Sequence, residues 1–203
     1  MKDLKGKSVA VAAVMAAKEY VEASREILAR LDYSIIDQMT EDLWKAYEED
    51  RTIFFFGNGG SAALASHLAC DMAKGTIARA QRRWRAISLA DNVPQMTAWA
   101  NDAAYQDIFA EPLAGLVRKG DRVFAISGSG NSMNVVRGLE VAREAGAKTL
   151  VLTGHQGGKV RALADLCLIV PSENMQHIED GHLCSAHAIF TALRQRMEQL
   201  CRS

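Results

Sequence analysis

The chain is predicted to be an α/β protein with a parallel sheet covered by helices on both faces. Three observations lead there. From residue 52 onward, short apolar runs alternate with stretches of helical periodicity. The connections between those runs are long enough to hold crossover helices, which parallel strands require. Two of the turns from strand to helix are built of glycine, serine and asparagine, Gly57-Asn58-Gly59-Gly60-Ser61 and Ser127-Gly128-Ser129-Gly130-Asn131-Ser132. Turns of this kind follow the carboxyl ends of parallel strands, where such sheets bind ligands.

The elements follow in order. The first 50 residues are rich in Glu, Lys, Ala and Leu, with no glycine between Lys7 and Gly57. They read as two helices, 8–30 and 35–49, with a break near Asp32 to Ser34. Lys2, Lys5 and Lys7 before the apolar run 9–17 imitate a short signal peptide. The run has no Leu, and its pattern continues through Tyr20, Val21, Ile27 and Leu31, so an amphipathic first helix is the expectation. Strands are expected at 52–56, 84–89, 122–126, 148–152 and 166–170. Helices are expected at 61–74, 92–101, 105–117, 132–145, 158–164 and 177–200. The domain division expected is 1–50 for the N-terminal helices and 51–203 for the α/β domain.

Composition narrows the function. The 203 residues carry 24 Lys+Arg and 24 Asp+Glu, so a strongly basic nucleic-acid binder is excluded as the dominant theme. No apolar run is long enough to span a bilayer. Cys70, Cys167, Cys184 and Cys201 form no C-x-x-C pair, which argues against a zinc ribbon or disulfide framework and for a reducing, cytoplasmic setting. The Arg-rich link of Arg79, Arg82, Arg83 and Arg85 is the one candidate docking patch, and equally a solvated loop.

The second glycine-serine turn is the stronger chemical signal. Three hydroxyls and the free N–H groups of a helix N-terminus form an anion cradle suited to a monophosphate. Neither turn holds Lys or Arg, so a nucleoside triphosphate with Mg²⁺ is not expected. His67 and Asp71 lie one helical turn apart on one face, which fits a ligand pair or an ordinary surface ion pair. In the last helix Glu179 is about 60° from His182 and about 80° from His187 around the axis, so either His can share a face with it. His155 and His177 are expected to be solvated.

Taken together, Phe56 to Ser61, His67-x-x-x-Asp71, Ala100-Asn101-Asp102, Ser127-x-Ser129-Gly130-Asn131-Ser132, Leu152-Thr153-Gly154 with Gly157-Gly158, and Glu179-x-x-His182 with His187 occur in this order. The pattern resembles the sugar isomerase (SIS) family, and within it the phosphoheptose isomerases, over residues 35–200. The resemblance implies a flavodoxin-like three-layer sandwich with a five-stranded parallel sheet, and a homotetramer with active sites between subunits. It implies aldose–ketose isomerisation of a sugar phosphate, first sedoheptulose 7-phosphate, in heptose precursor biosynthesis. Ser127, Ser129, Asn131 and Ser132 would hold the phosphate, and Asn58, Gly59, Ser61, Asp102 and Glu179 the sugar. Asp71 and His187 would be the catalytic pair, and His67, Asp71, Glu179 and His187 the ligands of one zinc ion. No nucleotide or nicotinamide cofactor is implied, and neither a nucleic acid nor a membrane partner. A different sugar phosphate, or a non-catalytic binding role such as association with a replication initiator, stays open.

The chain departs from the family pattern in places. Asp71 stands where Glu is usual, shorter by one methylene. Glu179 stands where Gln is common, Gly128 where a Thr hydroxyl is common, and Gln176 where an acidic residue is expected. Two His and two carboxylates make a full tetrahedral set for zinc.

Overall fold

A computed structural model describes residues 16–77 and 82–200. The segment imitating a signal peptide, the expected helix start at residue 8, Arg79 and Cys201 lie outside the described residues. The chain begins with two helices, α1 (Ala17–Ala29) and α2 (Tyr33–Glu48). Asp32 separates them and caps α2, its carboxylate accepting from the Ser34 and Ile35 N–H groups. Then follow β1 (Thr52–Gly57), α3 (Gly60–Cys70), β2 (Arg85–Ser88), α4 (Val93–Asp102), α5 (Ala110–Leu116), β3 (Arg122–Ser127), α6 (Met133–Glu144), β4 (Lys148–Thr153), β5 (Leu166–Ile169) and α7 (Met175–Leu200).

The five strands form one parallel sheet in the order β2-β1-β3-β4-β5. Phe54 to Phe56 show why β1 sits near its centre. Successive side chains point to opposite faces. Phe55 joins Phe124, Leu150 and Leu152 under α2, α3 and α7, whereas Phe54 and Phe56 join Val123, Ala125 and Val151 under α5 and α6. All three phenylalanines are 1% exposed or less, and each contributes roughly 1.5–3 kcal/mol by burial.

Three expected helices differ in detail, the one expected at 158–164 being a short 3₁₀ helix, Lys159–Leu163. The stretch 105–117 divides into a 3₁₀ turn, Tyr105–Asp107, and α5. Pro112 explains the break, because it lacks an N–H and fits only the first turn of a new helix. The helix expected at 61–74 ends as α-helix at Cys70 and continues as a π turn, Asp71–Gly75.

Helix α2 is tied to the sheet by a nearly buried carboxylate. Asp42 meets Arg122 at 3.2 Å and Lys148 at 2.7 Å, at the amino ends of β3 and β4. Helix α1 lies on α7 and buries none of its own residues. The Tyr20 hydroxyl donates to Asp180 at 2.7 Å, and its ring packs on His177 with centroids 4.3 Å apart. His177 is therefore buried, not solvated as the sequence suggested, because α1 covers it. In the Arg-rich link, Arg82 folds back onto Asp50 at 3.6 Å and lies over the Tyr47 ring. Among the described residues no helix is long and apolar enough to cross a membrane.

Candidate active site

The strand order fixes where a ligand can bind. After β1 the chain moves to one edge through β2, then returns to the other side of β1 with β3. At such a reversal the loops after the two adjoining strands diverge and leave a crevice at the carboxyl ends. Here those loops are the two glycine-serine turns.

Helix α6 starts at Met133 with Ser132 as its N-cap residue, yet the Ser132 side chain makes no capping bond. The Ser127 hydroxyl is buried with no hydrogen-bond partner. Both hydroxyls, the nearby Ser129 and the Met133 and Asn134 N–H groups at the start of α6 are thus available to an anion. Gly130 makes the turn possible. Its φ is +65°, and a Cβ there would lie 2.2 Å from the Gly157 carbonyl oxygen, so the loop after β4 presses directly on the cradle. The resulting cavity, about 280 Å³, is lined by Asn58, Gly59, Ser61, Ser127, Ser129, Ser132, Met175 and Glu179, among others.

Asn131 is not in that wall. Its amide donates to the Ser129 carbonyl at 3.0 Å and accepts from the Lys159 N–H at 3.2 Å, so it shapes the loop from behind. Asp102 ends α4 on the surface, where it accepts from the Asn101 amide, and it lines neither this cavity nor the next. A Cβ at Gly128 would lie 2.4 Å from the Met175 sulfur, so the thioether fills the space that a side chain at 128 would take.

A second cavity of about 320 Å³ adjoins the first through Gly60, Ser61 and Glu179 and is lined further on by His67, Asp180, His182 and Leu183. It leads to the histidines. His67 Nε2 lies 3.3 Å from the Asp71 carboxylate, and the donor atoms of His67, Asp71 and His187 all fall within 4.8 Å of one another. Helix α3 supplies His67, the turn that continues it Asp71, and α7 His187. Asp71 opens the π turn, where the helix widens, and such turns recur at functional sites. Two imidazole nitrogens and a carboxylate oxygen suit zinc with one position left open. Glu179 is outside this group. It stands two helical turns before His187, and its carboxylate would meet a Cβ at Gly60 at 2.8 Å. It therefore forms the wall between the two cavities.

The structure chooses between the two histidines that periodicity left open. His187 joins His67 and Asp71, whereas His182 is 1% exposed and neither of its ring nitrogens has a well-formed hydrogen bond. Burial pushes the His182 pKa down to about 4, against a small opposing effect of the Thr153 backbone, so the ring is neutral near pH 7. His155, half-buried after β4, pairs with Glu173 at 2.9 Å, away from both cavities.

The match to the SIS domain family model covers residues 19–154. The chain belongs to the SIS domain family. Among its relatives in that family, the probable phosphoheptose isomerase of Thermoplasma volcanium is 33% identical, over 89% of this chain and 91% of the relative. The phosphoheptose isomerase of Pelobacter propionicus is 38% identical, over 81% and 86%. The structure of phosphoheptose isomerase GmhA from Neisseria gonorrhoeae superposes with a TM-score of 0.80 at 29% identity, over 87% of this chain and 95% of that one. This SIS domain thus stands among the phosphoheptose isomerases.

Several residues of the site were not found from the sequence. Met175 and Asp180 had no motif to mark them. Asn134 and Tyr105 reach Asn58 only through tertiary contact. The one available signal was at Asn134, an amide inside the first turn of a helix, where Asn is a poor helix former and bonds locally instead.

Proposed function

We propose that the chain interconverts D-sedoheptulose 7-phosphate and D-glycero-D-manno-heptose 7-phosphate, an aldose–ketose isomerisation at the start of heptose precursor synthesis. One observation carries this reading. A cradle with an unpartnered buried hydroxyl, Ser127, runs through the Glu179 wall into a cavity that ends at His67, beside Asp71 and His187. A phosphate and a reacting carbonyl need such an arrangement, with neutral donors at one end and proton-transfer groups at the other.

The phosphate binds Ser127, Ser129 and Ser132 at the start of α6, with Asn131 holding the loop. Asn58, the Gly59 backbone, Ser61, Glu179 and Asp102 are assigned to the sugar hydroxyls. Binding energy at the phosphate aligns the far end of the sugar. The isomerisation moves one proton between C1 and C2 through an enediol. One member of the Asp71–His187 pair takes the proton from carbon, and the other serves the neighbouring oxygen. Zinc, if held by His67, Asp71 and His187 with Glu179 at the cavity wall beside them, would polarise the carbonyl oxygen.

The assembly that suits this site is a homotetramer with the site between subunits. Its support is that His67 and His187 open at the surface, Leu183 is 39% exposed beside them, and α1 buries none of its residues. Residues 1–50 then pack on the domain and in the oligomer, and 51–203 form the sugar-phosphate domain. Cys70, Cys167 and Cys184 are free thiols, as in a cytoplasmic enzyme.

The test is an NMR time course with sedoheptulose 7-phosphate, with and without zinc. New aldose signals are the expected result. Binding without conversion under either condition overturns the reading in favour of another sugar phosphate or a binding role.

A further inference from the structure

Asn58 stands at the start of α3 and lines the phosphate cavity, but its amide is not free to turn. Its Oδ1 accepts from Asn134 Nδ2 at 2.8 Å and from the Tyr105 hydroxyl at 3.2 Å. Its Nδ2 donates to Asn134 Oδ1 at 2.9 Å. A reciprocal pair of amides would be equally content with both groups flipped together. Here the flip is settled from outside the pair, because Asn134 Oδ1 also accepts from the Val135 backbone N–H at 2.9 Å. A backbone N–H can only donate, so the atom facing it must be oxygen. That fixes Asn134, and Asn134 fixes Asn58.

The consequence lies in what remains. Both lone-pair positions of Asn58 Oδ1 are taken, and one of its two N–H bonds is spent on Asn134. One N–H is left with no partner among the described residues, and Asn58 lines the cavity. Asn134 itself is 2% exposed and lines neither adjoining cavity. Tyr105 brings its hydroxyl from the turn after α4, exposed and with no other side-chain bond among the described residues.

We propose that Asn134 and Tyr105 are positioning residues that lock the Asn58 amide so that it offers the sugar phosphate a donor and never an acceptor. The wall therefore selects an oxygen with a free lone pair, such as a carbonyl, a phosphate ester oxygen or a hydroxyl acting as acceptor. This rests on reading the cavity as a sugar-phosphate site.

A double-mutant cycle on binding tests it. Sedoheptulose 7-phosphate and inorganic phosphate are titrated calorimetrically into the wild-type protein, N58A, N134A, Y105F, N58A/N134A and N58A/Y105F. N134A is expected to weaken the sugar phosphate by about tenfold and Y105F by roughly threefold, the scale of one or two lost hydrogen bonds. In the N58A background each loss is expected to shrink below about twofold, because the two residues act only through Asn58. A general loosening of the fold would weaken both ligands and would add to N58A rather than vanish in it. Losses of full size in the N58A background overturn the proposal, as does wild-type affinity in Y105F and N134A. Should N134A fail to fold, the Y105F half of the cycle decides alone, since the Tyr105 ring is 61% exposed. A wild-type protein that binds inorganic phosphate but not the sugar phosphate overturns the functional reading itself, a result distinct from an additive cycle.

Discussion

The imidazole rings of His67 and His187 meet edge to face with their centroids 5.1 Å apart. They come from different helices, so no single segment carries the pair. With the Asp71 carboxylate beside them, they form a group that could hold a metal ion, and its geometry depends on the packing of α3 against α7. Replacing His67 with Ala is expected to weaken zinc binding by at least roughly tenfold, the scale seen even for outer-shell changes at such sites. Glu179→Gln is expected to have a smaller effect, because its carboxylate rests against Gly60, outside the three-residue group. Competition titration with a chromogenic chelator ranks the variants, and equal losses for both would place Glu179 in the coordination sphere.

His187→Ala is expected to lower kcat by about 10²–10⁴-fold, the usual contribution of a positioned acid or base. Binding of sedoheptulose 7-phosphate is expected to survive, because the phosphate cradle lies at the far end of the cleft. Steady-state kinetics and calorimetry on the same preparation separate the two effects. Turnover at the wild-type rate removes His187 from the proton-transfer pair.

Ser127→Ala separates stability from binding. The hydroxyl is buried without a partner in the free protein, so its removal relieves a desolvated group and loses no internal bond. Tm is therefore expected to stay level or rise slightly. Affinity for inorganic phosphate is expected to fall by about five- to tenfold, as one donor to an anion is lost. A lowered Tm with unchanged phosphate affinity would show the hydroxyl to be structural.

His182 gives the fold a pH dependence of its own. The unfolded chain protonates this ring as pH falls through 6.5, whereas the folded chain keeps it neutral until about 4 because burial disfavours the charge. The unfolded state binds the extra proton throughout that window, so stability is full above it and declines as pH drops across it. The loss is on the order of 3 kcal/mol by pH 4. Urea denaturation of the wild-type protein and His182→Leu between pH 7 and 4 measures it. The wild-type protein is expected to lose stability relative to His182→Leu steadily on acidification, and a constant difference would mean that the ring is not titrating with folding.

Much of this was legible in the chain itself. The Ile53–Phe56 run, bounded by Gly57, could only be a strand buried on both faces. The serine turn, with three hydroxyls and no cation, indicated a monophosphate. Other features depended on contacts that periodicity does not encode. His177 looked exposed because its cover, Tyr20, comes from a helix 13 residues long that lies across α7. Glu179 lies between His182 and His187 around the α7 axis and can share a face with either, and only the position of α3 separates a neutral buried ring from a candidate ligand. Asn131 carries the same polar groups as the residues that line the cradle. What turns it outward is the loop carrying Lys159, whose N–H it accepts.

Helix α3 touches both ends of the cleft. Ser61 sits in its first turn beside the phosphate cradle, and His67 stands six residues further along the same rigid cylinder, a rise of about 9 Å. The cleft is in effect a gauge, with its zero set by the serines and its mark at the histidines. A sugar phosphate one or two carbons short can anchor its phosphate and still hold its carbonyl off the mark. Such a compound is expected to occupy the protein as an inhibitor and to leave unchanged, with chain length read by the backbone of a single helix before any hydroxyl is inspected.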